Sequence, residues 1–472
     1  MTMNAPTSSI TPVAGAAAVG MSVETEIAPP GVASALFWML PGPSDFLERL
    51  AGLLNAHRAV AVHLSERTVL GHQGLIERAL TRSHFEGMHP VMLRVHDASQ
   101  IDCDIAQHLC ASEARRQIGG LTLADWHTRE RNQGSSGSKG SPEVGPSTFV
   151  LRPRGEQALL AAWAYLRGFA EALPGSHGNT RLILVRIDNE PTWREEELKA
   201  LRVTGHFEAV WFDGALGPDE MRAYLGMRLA IAGPGASPQG PDALFNFPMK
   251  RLARTLIAEF ASFDAHFAEA LMRMSEPELM ALPESLGVLA TRLPVSDAVW
   301  RQTSEQAGTL LEIEGLLIVH TLHEWHLACH AGPHQEFARR ELQRKKWRAY
   351  LSALMPWFEE VRHELVVELR SLLLSHLAPT RGERVRVDDR TGRERRTVVD
   401  DLECGDIAAM TKEEPSLKGQ TTRERTALNL CHRIARVRNE IAHLRPPKME
   451  EIQTLISALN DHRREIEESK RS

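Results

Sequence analysis

The stretch AVAVHLSERTVLGHQGLIERAL, Ala59 to Leu80, reads as a strand, a loop carrying Gly71 and Gly74, and a helix. AVAVHL is apolar at nearly every position rather than at alternate ones, the mark of a strand covered on both faces. The same alternation of apolar run and helical periodicity spreads outward from it. VMLRV (Val91–Val95), LILVRI (Leu182–Ile187) and FEAVWF (Phe207–Phe212) read as further buried strands. FLERLAGLLNAH, GLIERALTR, GEQALLAAWAYLRGFAEAL and PDEMRAYLGMRLA read as the helices between and around them. This pattern predicts an α/β domain over 35–232 with a mainly parallel sheet. Its Gly/Ser/Pro-rich segment Thr128–Ser147 is expected to be a mobile insertion.

GPGASPQGP (Gly233–Pro241) opens a linker over 233–248. Beyond it the pattern is helical almost throughout, in a helical domain over 249–334 and a second over 335–472. SEQAGTLLEIEGLLIVHTLHEWHLACH is included among the helices. One exception is RVRVDDRTGRERRTVVDD (Arg384–Asp401), whose alternating Val residues around D-R-T-G predict a short β-hairpin. The first 34 residues, rich in Ala, Pro, Ser and Thr, read as a disordered leader rather than a signal peptide.

A length of 472 residues allows two or three domains with their own cores. A net charge of −6 excludes a global positive field, so any nucleic-acid site must be local. No apolar run reaches the roughly 20 residues of a membrane span. Cys103, Cys110, Cys329, Cys404 and Cys431 are scattered, which suits reduced thiols and a cytoplasmic setting.

A loop between strand and helix is where a P-loop NTPase holds phosphate, but VHLSERTVLGHQGLIERAL lacks G-x-x-x-x-G-K-[ST]. Without the Lys and the Mg-binding hydroxyl the cradle is incomplete. LILVRIDNE ends a strand on Asp188 and Glu190, which resembles the acidic strand end of NTPases; acidic strand ends are also commonplace. FEAVWFDGALGPDEMRAYLGMRL resembles the late strand and helix of AAA or STAND ATPases. The resemblance implies a degenerate NTPase-like domain that serves as sensor, scaffold or oligomerisation part, with no cofactor assigned. A working NTPase with an atypical loop stays open.

HTLHEWHLACHAGPH places His320, His323, His326 and His330 within one sector of a helix, with His334 after Pro333. Imidazoles three and four apart could bind zinc, but the spacing is not H-E-x-x-H. A polar helix face able to titrate near neutral pH is the expectation, and no metal is assigned.

Near the C-terminus, LNLCHRIARVRNEIAHL places Leu430, Ile434, Val437, Ile441 and Leu444 on one apolar stripe. Asn439 and His443, four apart, lie on the opposite side with His432, and Arg438 flanks them. Together they could act on a phosphate: the His transfers protons, the Arg holds and neutralises the phosphate, and the Asn orients the imidazole or substrate. RNA brings its own 2′-hydroxyl nucleophile. Two copies across a two-fold axis would supply base and acid together.

Arg, a polar residue, three more residues and His, late in a helical domain, resembles the motif of HEPN domains, which occur in many toxin, CRISPR-associated and abortive-infection ribonucleases. MPWFEEVRHELVVELRSLLL and LECGDIAAM also look like parts of HEPN domains attached to defence-related ATPases. The resemblance covers roughly Trp347 to Glu468. It implies a metal-independent endoribonuclease acting on RNA as a homodimer through an HEPN helical bundle, in phage defence or as a toxin. Arg438, Asn439 and His443 would be its site. The alternative is a non-catalytic adaptor that dimerises or docks a defence partner protein.

Overall fold

The structure, a computed structural model, describes residues 32–65, 74–83, 90–95, 101, 105, 148–153, 155–173, 180–187, 195–231, 247–292, 310–313, 316–380, 382–387, 393–414 and 417–471. Five parallel strands form the N-terminal sheet: β1 (Ala59–Leu64), β2 (Val91–Val95), β3 (Thr148–Pro153), β4 (Arg181–Ile187) and β5 (Phe207–Phe212), in the order β2-β3-β4-β1-β5. Four were expected from the sequence. The fifth, β3, was missed because its apolar core, TFVL, abuts the Gly/Ser/Pro-rich segment that reads as loop. The proposed insertion itself lies outside the described residues, as does the linker Gly233–Pro241.

Successive β1 residues point to opposite sides, and both sides are buried. Val60, Val62 and Leu64 join Val150, Ile183, Val185 and Phe212 against α1 (Val32–Phe37), α2 (Pro41–Ala56), α3 (Leu75–Arg82) and α6 (Pro218–Ile231). Ala59 and Ala61 join Phe149, Leu151, Leu182, Leu184 and Phe207 against α4 (Glu156–Ala172) and α5 (Glu195–Arg202). This is why the strand reads as a continuous apolar run.

The rest is mostly helical: α7 (Phe247–Ala261), α8 (Ala265–Met272), α9 (Glu276–Met280), α10 (Leu286–Arg292), α11 (Thr321–Cys329), α12 (Gln335–His376), α13 (Cys404–Glu413), α14 (Thr422–Ala442) and α15 (Met449–Arg471). The first core continues into this half through Leu252, Leu256 and Phe260 of α7 and Ala349, Tyr350 and Leu354 of α12. A buried carboxylate helps the join: Glu269 of α8 accepts from Tyr224 Oη at 2.6 Å and Arg228 Nε at 2.9 Å, both on α6. The 42 residues of α12 span about 63 Å. Pro356 interrupts its donors but is exposed, so water can satisfy the carbonyl left over.

One helical expectation fails. LLEI and LLIV are not helical but form an antiparallel pair, β6 (Leu310–Ile313) with β7 (Leu316–Val319). These runs are only four residues each and fit helix and strand equally, so periodicity alone does not decide between them. The other hairpin forms as expected: β8 (Glu383–Val387) pairs antiparallel with β9 (Glu394–Val398).

Candidate functional site

The helix α14 is built to present its last turns. Thr421 caps it: its hydroxyl accepts from Glu424 N at 3.1 Å, and Glu424 Oε2 accepts from Thr421 N at 2.9 Å. Leu430, Cys431, Ile434, Val437 and Ile441 are buried in the core. Trp347 Nε1 of α12 donates to Ile441 O at 2.7 Å and fixes the C-terminal end.

Leu444 departs from the expected stripe. The helix stops at Ala442, and Leu444 follows in the left-handed region at φ 59°, 66% exposed. Arg445 N bonds Glu440 O at 2.9 Å and Leu444 N bonds Ile441 O at 3.1 Å. This is a Schellman closure with leucine where glycine is usual. Pro446 and Pro447 cannot continue a helix, so the stripe's last position falls beyond it.

Asn439 and His443 are exposed, one turn apart, as their spacing predicts. His443 is the C-cap, its own N–H meeting Asn439 O at 3.0 Å. Arg438 is different. It is half-buried, and its Nη1 donates to Glu403, the N-cap residue of α13. That hydrogen bond outweighs burial and holds the guanidinium above its usual pKa. Five residues of helix put Arg438 about 140° around from His443. His432, expected on the same open face, is half-buried with Nε2 2.6 Å from Thr411 Oγ1 of α13. Burial lowers its pKa, with Lys412 adding to the shift.

A groove of about 750 Å³ reaches Leu444, the residue after His443. Arg339, Arg340 and Arg344 of α12 line it together with Trp325 and Trp347. Sequence reading missed it because its walls come from α11, α12, the turn at Pro283 and Glu284 and the end of α14, which only the fold brings together.

The histidine cluster is not the exposed polar face expected. The helix α11 spans only Thr321–Cys329, so His320 and His330 are its caps and His334 precedes α12. His320 and His323 are buried. His320 Nε2 lies 3.2 Å from Asp264 Oδ2, and its Nδ1 accepts from Leu322 N. Burial, with His326 and His320 adding to it, pushes His323 down to about 4, away from neutral pH. His326 and His330 face each other, ring centroids 4.0 Å apart. Among the described residues no group of three or more His, Cys, Asp or Glu could hold a metal.

Sequence reading also missed a buried polar cluster beside this helix. Lys345 of α12 lies 2.6 Å from Glu324 Oε2 and donates to Thr321 Oγ1 at 2.7 Å and Ser262 Oγ at 2.9 Å. Lys345 lies on α12, Thr321 and Glu324 on α11 and Ser262 in the turn after α7, and no sequence motif links them.

In the α/β domain, β1 and β4 are neighbours. The chain leaves β1 through α3 toward β2, and leaves β4 through α5 toward β5 at the opposite edge. In open α/β sheets ligands bind outside the carboxyl ends of strands at such a switch. Gly74, at φ 69°, caps α3 there. Gly71, Asp188 and Glu190 lie outside the described residues.

No protein-family model matches the chain, and no curated protein matches it. Among described residues, no helix is long and apolar enough to cross a membrane. Among solved structures, the chain is similar to one titled as Drosophila ORC bound to GC-rich DNA and Cdc6, at 12% identity, covering 98% of this chain and 78% of that one. With a TM-score of 0.24, that likeness carries no argument, and the α/β-plus-helical architecture stands on the strands and helices themselves.

Proposed function

We propose that the chain is a regulated, metal-independent RNA endonuclease of HEPN type whose site is completed by a second copy. The observation that carries this reading is the pair Asn439 and His443, exposed together beside a groove lined by Trp325, Trp347 and three arginines, of which Arg340 and Arg344 are paired with Glu336 and Glu341. Guanidinium groups suit phosphates and indoles suit unstacked bases, the combination a single strand of RNA requires. His443 would move the proton of the 2′-hydroxyl or of the leaving oxygen, Arg438 would neutralise the scissile phosphate, and Asn439 would orient either. One copy supplies one such His, so a symmetric dimer would supply base and acid. The α/β domain serves as a degenerate NTPase-like sensor or scaffold; the order of its parallel strands, with β1 beside β4, supports that part. A role in defence against phage, or as a toxin, follows from the motif's resemblance.

The test is cleavage of a fluorogenic RNA with a metal chelator present, by wild type, His443→Ala and Asn439→Ala. Loss of cleavage in His443→Ala is the expected result. Equal cleavage by His443→Ala and wild type would overturn the assignment.

The second reading is a non-catalytic adaptor that dimerises or docks a partner. It is favoured by the Arg438–Glu403 pair, which ties the motif's arginine to its own chain. No cleavage by wild type, together with a stable dimer, would select it.

A further inference from the structure

A second groove, of about 590 Å³, lies where α6, α7 and α12 meet, away from α14. Its lining includes Arg222 of α6 and Lys250, Arg251 and Arg254 of α7, against one carboxylate, Glu259. Glu259 is already taken, its Oε2 2.7 Å from Arg348 Nε, and Arg222 is held by exposed Asp219 at 2.6 Å. Lys250, Arg251 and Arg254 have no ion pair among the described residues. Lys250 and Arg254 are four apart on one helix face, where like charges repel. Arg254 reaches across to α6, where a Cβ on Gly226 would sit 3.6 Å from its Nη2. In a chain of net charge −6, three unneutralised cations converging on one concavity are a local reversal of sign.

We infer that this groove binds linked phosphates. The guanidinium groups of Arg251 and Arg254 match the oxygens of phosphate in paired hydrogen bonds, and Lys250 adds a point charge. The volume is that of a small-molecule site, larger than a single phosphate fills. Such phosphates come from two sources, the polyphosphate of a nucleotide or the backbone of an RNA strand. The inference is independent of the ribonuclease reading, because the groove shares no residue with the His443 site.

The experiment is calorimetric titration of the full chain at low salt with sodium tripolyphosphate and with ATP, and anisotropy of a labelled single-stranded RNA. Wild type is compared with Arg251→Glu/Arg254→Glu and with the milder Lys250→Gln, each checked for an unchanged melting temperature. The expected result is saturable binding of tripolyphosphate, weakened roughly tenfold or more by the double reversal and less by Lys250→Gln. Tighter binding of ATP than of tripolyphosphate identifies a nucleotide. RNA binding that tripolyphosphate displaces, with a salt slope reduced in the variants, identifies a strand. Absence of binding by all three probes, or binding unchanged by the double reversal, overturns the inference. RNA cleavage lost in His443→Ala alone bears on the other site and leaves this result standing.

Discussion

Arg438 of α14 is ion-paired with Glu403, the residue that caps α13. The backbone N–H of Glu403 is in turn held by Asp406 Oδ2 at 3.2 Å in the capping box of α13, so one residue joins a helix start to the arginine of the candidate site. The pair offsets part of the guanidinium's charge and holds it against α13, so a phosphate at Arg438 competes with Glu403 for it. The pair therefore works as a restraint on the site if the site is catalytic.

Glu403→Gln tests that restraint. Glutamine keeps an acceptor for the α13 cap but removes the charge that holds Arg438. The pair is partly exposed, so its loss costs stability by only about 0.5–1 kcal/mol. RNA cleavage is expected to rise a few-fold in Glu403→Gln and to fall in Arg438→Ala, measured on the same fluorogenic substrate. Rates unaltered by both substitutions would remove Arg438 from the chemistry.

Leu444→Gly addresses the end of the same helix. Leucine at φ 59° carries a steric cost that glycine does not, about 1 kcal/mol, while its exposed side chain gives back little burial. The substitution is expected to stabilise the chain slightly in urea unfolding. A clear loss of stability would mean that Leu444 packs in the groove more than its exposure indicates.

Much of this architecture was legible because it rests on local periodicity. The doubly buried strand Ala59–Leu64 and the stripe Leu430 to Ile441 declare themselves by spacing alone. What failed has a physical pattern too. The strand Thr148–Pro153 is short and borders a segment of loop composition, and the hairpin Leu310–Val319 carries apolar residues that fit helix and strand equally. At the candidate site, the exposure of Asn439 and His443 followed from the helix, but the engagement of Arg438 did not. Glu403 is 35 residues away, and only the packing of α13 on α14 brings it near.

His323 makes stability depend on pH. Its folded pKa of about 4 lies below the unfolded value near 6.5, because burial disfavours the imidazolium, with His326 and His320 adding to the effect. Between those values the unfolded chain binds the extra proton, so stability rises with pH there and is lost as pH falls from about 6.5 toward 4. The full difference is at most about 3 kcal/mol. The neighbouring His326 and His320 act on the same group, so the comparison must be with His323→Gln. Urea unfolding at neutral and mildly acidic pH is expected to show a smaller acid loss in the variant. Parallel losses in both proteins would assign the acid sensitivity elsewhere.

The buried Lys345–Glu324 pair joins α12 to α11, and its two halves are not equal in what their removal leaves behind. Burial drives Lys345 down and Glu324 up in pKa, so each resists its own charge and depends on the other to keep it. Lys345→Met strands a carboxylate in the core, at a cost of about 3–5 kcal/mol. Ser262 and Thr321 lose the ammonium but keep each other, since their hydroxyls are 3.0 Å apart. Replacing both charges, as in Lys345→Met/Glu324→Leu, removes the stranded group, so the double variant is expected to recover most of the single variant's loss. Urea unfolding of wild type, both single variants and the double variant closes the cycle. A double variant no more stable than Lys345→Met would show that the hydrogen bonds to Ser262 and Thr321, rather than the charge pairing, hold the two helices together.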